Sequence, residues 1–268
     1  MPLVSAIVLN YKTPADTIKC VEALLKQTIA GDIEIIVVDN HSQDDSVGKL
    51  SALLAPGKPV QVIQAPHNLG YGKGNNFGAM RAKGEFIMII NPDNSLEPDG
   101  LEKMVKHLNE NPDAGILGPK LIFPNGTIRD SYRTFPTPLD LIIKRTFLRW
   151  FFKKRMCRYL QWDKDPNEVR DVDWIVGACL FMKRDLYEEL GGFDKRFFLF
   201  FEDTDICRRC WKLGRRVVYF PLAVAHDSEL RLSSGGVFSI FTRRNMRIHV
   251  SSAIKYFFKW GILRSKNL

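Results

Sequence analysis

Five short apolar runs between residues 3 and 123 alternate with four segments of helical periodicity, and this alternation constrains the fold more than any other feature. The runs "LVSAIVLNY", "IEIIVVDN", "VQVIQA", "EFIMIIN" and "AGILGPKLIF" are rich in Val and Ile and nearly continuous in apolar residues. Strands buried on both faces read this way, whereas a half-solvated strand alternates apolar with polar. Between them, "TPADTIKCVEALLKQT" sets Thr13 as a cap before Pro14 and repeats apolar residues at 18, 21, 24 and 25. "SQDDSVGKLSALL", "GNNFGAMRAKG" and "EPDGLEKMVKHLNENP" follow as helices. A parallel strand pair needs a crossover, and a helix supplies it while covering the sheet. The alternation predicts an α/β fold with a mostly parallel, Rossmann-like sheet flanked by helices.

After "PNGT" the character changes. Residues 139–162, "LDLIIKRTFLRWFFKKRMCRYLQW", carry seven basic residues against one acid, interleaved with aromatics and without a clean amphipathic stripe. "VDWIVGACLFMKRDLYEELGGF" reads as a strand and a short helix, and "RVVYFP" as a last strand that turns to His226. The tail, 241–268, has seven Lys/Arg and no Asp or Glu. In it Met246, Val250, Ala253, Ile254, Phe257 and Trp260 share one helical face, with Arg244, Arg247, Ser251, Lys255 and Lys259 largely opposite. No internal repeat or low-complexity linker interrupts the chain. The expectation is one domain over 1–240 and a basic amphipathic helix over 241–268.

The formal charge of +9 is unevenly spread. Residues 1–130 hold 12 Lys/Arg against 15 Asp/Glu, whereas residues 131–268 hold 27 against 15. The basic second half points to an anionic partner: phosphate, nucleic acid or a membrane surface. Of five scattered cysteines, Cys207 and Cys210 have C-x-x-C spacing, but no second pair completes a zinc site. Reduced thiols in a cytoplasmic compartment are expected. "MPLVSAIVLNYKT" lacks a basic leader region, and no apolar run approaches the ~18–20 residues of a membrane span. A soluble or peripheral protein is expected.

In open parallel sheets, ligands gather at the carboxyl ends of the strands. Those ends here carry Asn10-Tyr11, Asp39-Asn40, Asn68 in "HNLGYGKGNN", and Asn91-Pro92-Asp93-Asn94. Asp39 can accept from a ribose hydroxyl or a base N–H; it can equally close an Asx turn. Asp93 follows a buried strand in a turn that offers a hard divalent ion an oxygen ligand, or that simply reverses the chain. Gly70, Gly72, Gly74 and Gly78 fit neither the dinucleotide fingerprint nor the P-loop. Further on, "RFFLFFEDTDICRRCWKLG" sets Glu202, Asp203 and Asp205 between phenylalanines and arginines. Acids beside apolar residues are costly unless paired or used. They can cap a helix and pair with Arg208 and Arg209, or one can serve as a general base at a pocket mouth.

Six stretches, "SAIVLNYKT", "IIVVDNHSQDDS", "NLGYGKGNNFG", "FIMIINPDN", "GGFDKRFFLFFEDTDICRRCWKLG" and "VVYFPLAVAHDS", occur in this order from about residue 3 to 250. Together they resemble the family 2 inverting glycosyltransferases, particularly the rhamnosyltransferase-like bacterial branch. The resemblance implies a GT-A (nucleotide-diphospho-sugar transferase) fold, with 1–120 as its nucleotide-binding half and 121–240 as its acceptor-binding half. It implies that Asp39 holds the nucleotide base or ribose, with Asn10, Tyr11, Asn68, Gly70, Lys73, Asn91 and Asp93 around the nucleotide sugar. Asp93 matches the acid of the D-x-D motif that holds Mg²⁺ or Mn²⁺ on the donor diphosphate. The first acid of that motif is Asn91 here, so carboxylate ligation rests on Asp93. His226 matches a histidine that completes the metal site in some members. The general base falls in the acid pair, as Asp203, with Glu202 or Asp205 orienting it.

The reaction so implied is a single in-line displacement by an acceptor hydroxyl. The Q-x-x-R-W motif of processive synthases is absent, so one sugar is expected per acceptor. The implied partners are a dTDP- or UDP-linked sugar, a glycan or polyprenyl-diphosphate-linked acceptor, and the anionic inner face of the cytoplasmic membrane. Two other readings compete. A basic protein that holds nucleic acid or lipid without catalysis lacks a nucleic-acid-binding motif and sets acids where phosphates would lie, so nucleic acid is not expected. Nucleotidyl transfer onto a sugar phosphate usually brings a Gly-rich, Arg/Lys-bearing N-terminal signature, which "VSAIVLNYKTPADT" lacks.

Overall fold

The computed structural model describes residues 1–54, 57–227 and 244–262. Its sheet begins as the apolar runs predict, with strands β1 (Val4–Asn10), β2 (Ile33–Asp39), β3 (Val60–Gln64) and β4 (Phe86–Ile90). β1 lies between β2 and β4, β3 extends the edge beyond β2, and all of these pairings are parallel. Helices α1 (Pro14–Leu24), α2 (Ser46–Leu50) and α3 (Tyr71–Ala79) make the crossovers. Successive residues of a strand face opposite ways. On β1, Val4, Ala6 and Val8 join one apolar layer with Ile33, Ile35 and Val37. Ile7 and Leu9 join the other, with Ile36 and Val38.

The second half departs from a purely parallel sheet. β5 (Asn94–Leu96), α4 (Gly100–Glu110), β6 (Ala114–Ile122) and the short β7 (Tyr132–Arg133) lead into α5 (Pro138–Arg145) and α6 (Lys153–Leu160). After β8 (Arg170–Asp171), β9 (Trp174–Ile175) and β10 (Cys179–Lys183) come α7 (Arg184–Glu189), α8 (Glu202–Lys212) and β11 (Arg216–Asp227). The sheet order is β3-β2-β1-β4-β10-β6-β11-β5, with β8 paired to β11. β10 runs antiparallel between β4 and β6, while β11 runs parallel to β6 and antiparallel to β5. The stretch read as one strand, "VDWIVGACLFMK", is divided at Val176-Gly177-Ala178 into β9 and β10. β9 pairs with β7 in a separate two-stranded sheet. That break opens beside the acid pair.

The last helix, α9 (Arg244–Trp260), packs on its own domain. Tyr256 and Trp260 bury against Phe197 and Phe201, with Leu141 of α5 beside them. The buried face is rotated from the expected one: Met246, Ser252, Tyr256 and Trp260 turn inward, while Ile254 is 64% exposed. Residues 241–243 and 263–268 of the expected tail lie outside the described residues.

Candidate active site

The floor of the strand-end crevice is built by β1 and β2, whose register sets Asn10 opposite Asp39. Both side chains are fully buried. Asn10 Nδ2 donates to Asp39 Oδ1 at 2.8 Å, and the Ser42 N–H donates to Asp39 Oδ2 at 3.1 Å. Thr17 Oγ1 donates to Asn10 Oδ1 at 3.0 Å. A buried carboxylate is tolerable where both oxygens accept hydrogen bonds. Asp39 thus closes an Asx turn and underlies the crevice at the same time. Lys12 and His41, just past the two strand ends, both adopt the left-handed conformation with φ of 61°. Tyr11 leaves its ring exposed at the side.

Asn40 ties this floor to the glycine segment. Its Nδ2 donates to Asn68 Oδ1 at 3.2 Å and to the Gly70 carbonyl at 3.3 Å, and its Oδ1 accepts from the Leu69 N–H at 2.9 Å. Asn68 Oδ1 also accepts from the Gly70 N–H at 2.9 Å. The sequence suggested a helix from Gly74, but α3 begins at Tyr71, which makes Lys73 an exposed residue of its first turn. Gly70 has φ of 78°, and a Cβ there would lie 2.3 Å from the Phe198 carbonyl oxygen. That carbonyl accepts from the Tyr71 N–H at 2.7 Å. The glycine segment therefore rests directly against the chain leading to the acids.

The Asn91–Asn94 turn faces the β9–β10 break, where the Asn91 N–H donates to the Ala178 carbonyl at 2.8 Å. Asn91 Oδ1 and Asn94 Oδ1 are buried without a hydrogen-bond partner. Asn94 Nδ2 donates to Asp93 Oδ1 at 3.1 Å and to Asp227 Oδ1 at 3.3 Å. Asp227 is buried and ion-paired with Arg129. The carboxylate that shares Asn94 with Asp93 is therefore Asp227. His226 is exposed at the rim, with Nε2 3.3 Å from Glu97 Oε1. Strand parity is the cause: Ala223, Ala225 and Asp227 turn inward, so His226 turns outward.

The three acids of α8 have separate surroundings. Phe200 and Phe201, with φ of 69° and 70°, bring the chain in through two left-handed residues. Non-glycine residues hold that conformation at a cost of about 1–3 kcal/mol each, and only where neighbours impose it. α9 imposes it here: Phe201 packs on His249 and Tyr256, and Ser252 Oγ donates to the Leu199 carbonyl at 2.8 Å. Asp205 is fully buried and structural, accepting from Arg209 Nε at 2.8 Å, Lys259 Nζ at 2.6 Å and Trp260 Nε1 at 2.7 Å. Asp203 is half-buried. Its Oδ2 accepts from the Gly177 N–H at 3.0 Å, and its Oδ1 accepts from the Thr204 N–H at 2.7 Å. Burial lifts its pKa above the ordinary carboxylate range against the pull of those N–H groups. Glu202 is buried with Oε2 unpartnered, and burial first, then the neighbouring Asp203, pushes its pKa well up. Tyr71 Oη donates to the Gly177 carbonyl at 2.5 Å. Burial raises the Tyr71 phenol too, and Glu202, Asp203 and Asp93 are all near enough to add to it.

Four distant segments thus meet at one crevice: the β1–β2 floor, the glycine segment, the Asn91–Asn94 turn and the acid pair. The sequence did not single out Ser42, Tyr71, Gly177 or Asp227. The sequence profile of glycosyl transferase family 2 matches residues 5–191, well over half of the chain. The chain belongs to glycosyl transferase family 2. Among family relatives it is 29% identical, over 204 residues, to an N-acetylglucosaminyl-diphospho-decaprenol L-rhamnosyltransferase of Mycobacterium tuberculosis, covering 71% of this chain and 65% of that one. It is 26% identical to the O-antigen biosynthesis protein RfbC of Myxococcus xanthus over 80% of this chain and 16% of that protein. Among solved structures it superposes on the mannosyltransferase PcManGT from Pyrobaculum calidifontis, in complex with GDP-Man and Mn²⁺, with a TM-score of 0.64. That match has 19% identity and covers 95% of this chain and 64% of that one. S. aureus TarS 1-349 in complex with UDP gives a TM-score of 0.60 at 17% identity, covering 85% and 60% of the two chains. The chain therefore spans less than two thirds of the length of each of these proteins. The fold is GT-A, as the six stretches implied.

Proposed function

We propose that this family 2 chain transfers a sugar, rhamnose or another hexose, from a nucleoside-diphosphate donor to a hydroxyl of a polyprenyl-diphosphate-linked or glycan acceptor, with inversion, in cell-surface polysaccharide synthesis. The state of Asp203 carries the reading. Its two oxygens are aimed by the Gly177 and Thr204 N–H groups, its pKa is raised by burial, and it keeps partial access to the crevice. A general base that takes a proton from a sugar hydroxyl needs this combination of fixed aim, raised basicity and access. The diphospho-decaprenol acceptor in the mycobacterial relative's name supports a lipid-linked acceptor here, and the UDP and GDP-Man in the two neighbours support a nucleoside-diphosphate donor.

In this reading the nucleoside lies over the Asn10–Asp39 floor beside Tyr11 and Asn68, and the diphosphate faces Gly70 and Lys73 at the N-terminal turn of α3. The positive end of that helix and the Lys73 ammonium offset charge on the leaving group. The acceptor hydroxyl approaches from the α8 side, and Asp203 takes its proton as the oxygen bonds to the anomeric carbon. The bond to the diphosphate breaks on the opposite face, and the nucleoside diphosphate departs with the electron pair. Burial raises the Glu202 pKa well above its ordinary value, which favours its neutral form beside the base.

The residues also fit Mg²⁺ or Mn²⁺. The Asp93 carboxylate and the buried, unpartnered amide oxygens of Asn91 and Asn94 make a hard-oxygen donor set, and Asp227, ion-paired with Arg129, holds Asn94 in place behind them. Among the described residues no three His, Cys, Asp or Glu side chains cluster, so water and the donor diphosphate would complete the shell. A bound ion supplies positive charge for the departing diphosphate. No described helix is long and apolar enough to cross a membrane. In this reading a lipid-linked acceptor is met at the inner membrane face.

The test is nucleoside-diphosphate release from a panel of dTDP-, UDP- and GDP-sugars, with Mg²⁺ or Mn²⁺ and a polyprenyl-diphosphate-linked acceptor. Release is expected with one donor and is expected to depend on acceptor. Silence across the whole panel overturns the reading.

A further inference from the structure

The turn between α5 and α6 exposes aromatic side chains that its own packing does not use. α5 and α6 close on a small core of Ile143, Met156, Tyr159 and Leu160, with Leu148 against it. Outside that core, Phe147 is 72%, Trp150 63% and Phe151 77% exposed. Soluble surfaces scatter large apolar residues singly, and a cluster of them marks a contact surface. These form a cluster: the Phe147 and Phe151 rings meet edge to face at 6.4 Å, and the Arg149 guanidinium lies 5.2 Å from the Trp150 ring centre.

Within residues 139–162 the exposed charge has one sign. Arg149, Lys153 and Lys154 are exposed beside the aromatics. Asp140, the one acid in residues 139–162, is fully buried, bonded to Arg155 and to the Thr137 cap, so it puts no negative charge on this face. An occupant must therefore take aromatic rings into an apolar layer and present anionic groups next to that layer. A bilayer surface with anionic headgroups has this profile, with Trp and Phe at the headgroup boundary and Lys and Arg against phosphate.

We propose that the 147–154 turn docks the protein on an anionic phospholipid bilayer, with Phe147, Trp150 and Phe151 inserted at the headgroup boundary. The basic helix of the tail is the other candidate for such a contact, but α9 spends much of its apolar face on Phe197 and Phe201. The docking turn belongs to the segment between β7 and β8, which departs from the sheet just after Arg133. Arg133 is close enough to Asp203 to favour its charged form. A protein held by this turn keeps at the lipid the excursion that starts at Arg133, beside the acid pair. The inference stands on the surface alone and does not depend on the sugar-transfer reading.

Flotation with vesicles of phosphatidylglycerol and phosphatidylcholine, against phosphatidylcholine alone, tests it without any assay of activity. At low salt the protein is expected to float with the anionic vesicles and to be released as salt rises. The triple variant Phe147→Ser, Trp150→Ser, Phe151→Ser is expected to lose roughly tenfold or more in partitioning. A second variant, Lys153→Glu with Lys154→Glu, removes the charge attraction and leaves the aromatics in place, so its loss is expected only on anionic vesicles. All these side chains are exposed, and thermal melts matching the parent confirm that both variants fold. A third variant, Phe258→Ser, probes the 94% exposed ring of α9 and is expected to bind like the parent. Absence of flotation at low salt overturns the proposal. So does undiminished flotation of the folded triple variant, loss confined to Phe258→Ser, or binding of single-stranded oligonucleotide that competes with the vesicles.

Discussion

The floor of the crevice and the chain that brings in the acid pair are built on opposite terms. On the floor Asn10, Asp39, Asn40 and Asn68 accept and donate among themselves, with no oxygen of Asp39 left over. Left-handed residues border both regions, Lys12 and His41 singly at the floor and Phe200 and Phe201 in succession at the acid pair. But it is Glu202, not Asp39, that keeps a buried oxygen without a partner. Satisfied polar networks rigidify a structure, whereas strain and unpaired polar atoms collect where the structure serves something other than stability. The difference assigns holding to the floor and chemistry to the acid loop. It also explains why α9 is needed: Lys259 Nζ reaches Asp194 at 2.7 Å and Asp205 at 2.6 Å, pinning both ends of the strained segment.

The largest effect that can break this contrast is on turnover. Asp203→Asn keeps an acceptor for the Thr204 N–H and changes little in volume, so the melting temperature should stay near the parent's. Turnover should fall by a factor of roughly 10²–10⁴, the usual contribution of a general base, while donor binding stays intact. Steady-state kinetics with calorimetric donor titration measures both quantities. In the parent, activity should decline as pH falls through a value above the ordinary carboxylate range, because the base must be unprotonated and burial has raised its pKa. Near-parental turnover in Asp203→Asn removes the acid loop from the chemistry.

A second, smaller effect belongs to the floor. Asp39→Ala leaves Asn10 Nδ2 with one long bond to Ser42 Oγ at 3.3 Å and strips the Ser42 N–H of its acceptor. Each buried polar group so orphaned costs about 1–3 kcal/mol. Chemical denaturation should show that loss, and titration with the nucleoside diphosphate should show weakened binding. A variant as stable as the parent would mean that water satisfies the floor and that it holds nothing rigidly.

Much of this was legible in the sequence, and the misses have physical causes. The apolar runs gave the parallel half of the sheet and the polar strand ends, because burial on both faces leaves only those ends free to be polar. The antiparallel course of β10 was hidden, since "CLFMK" is equally apolar read in either direction. Gly70, Gly74 and Gly78 recur every four residues, the spacing of one helical face, a signal passed over in placing the helix start at Gly74 rather than Tyr71. A Cβ at Gly74 would meet Leu9 at 2.6 Å, and one at Gly78 would meet Ile7 at 2.7 Å. Counting by twos from Ala223 through Ala225 reaches Asp227 and passes over His226. The face of α9 was misjudged because its partners, Phe197 and Phe201, lie far away in sequence and nothing local names them.

The smallest effect is the sharpest, because its sign is opposite to that on the floor. Glu202 is 5% exposed, and its folded pKa stands well above the ordinary carboxylate range. As pH rises from that ordinary range to the raised value, the native state keeps a proton that the unfolded chain has released. The unfolded state then binds fewer protons, so stability falls with rising pH across that window. Glu202→Gln cannot titrate and should lose this slope, so it should match the parent in acid and exceed it at neutral pH. Urea midpoints at a series of pH values decide it. Removing the paired carboxylate of the floor destabilises, and neutralising the unpaired one of the acid loop stabilises. If Glu202→Gln instead loses stability at neutral pH, Glu202 is a hydrogen-bonded anchor like Asp39, and the two regions are built on the same terms after all.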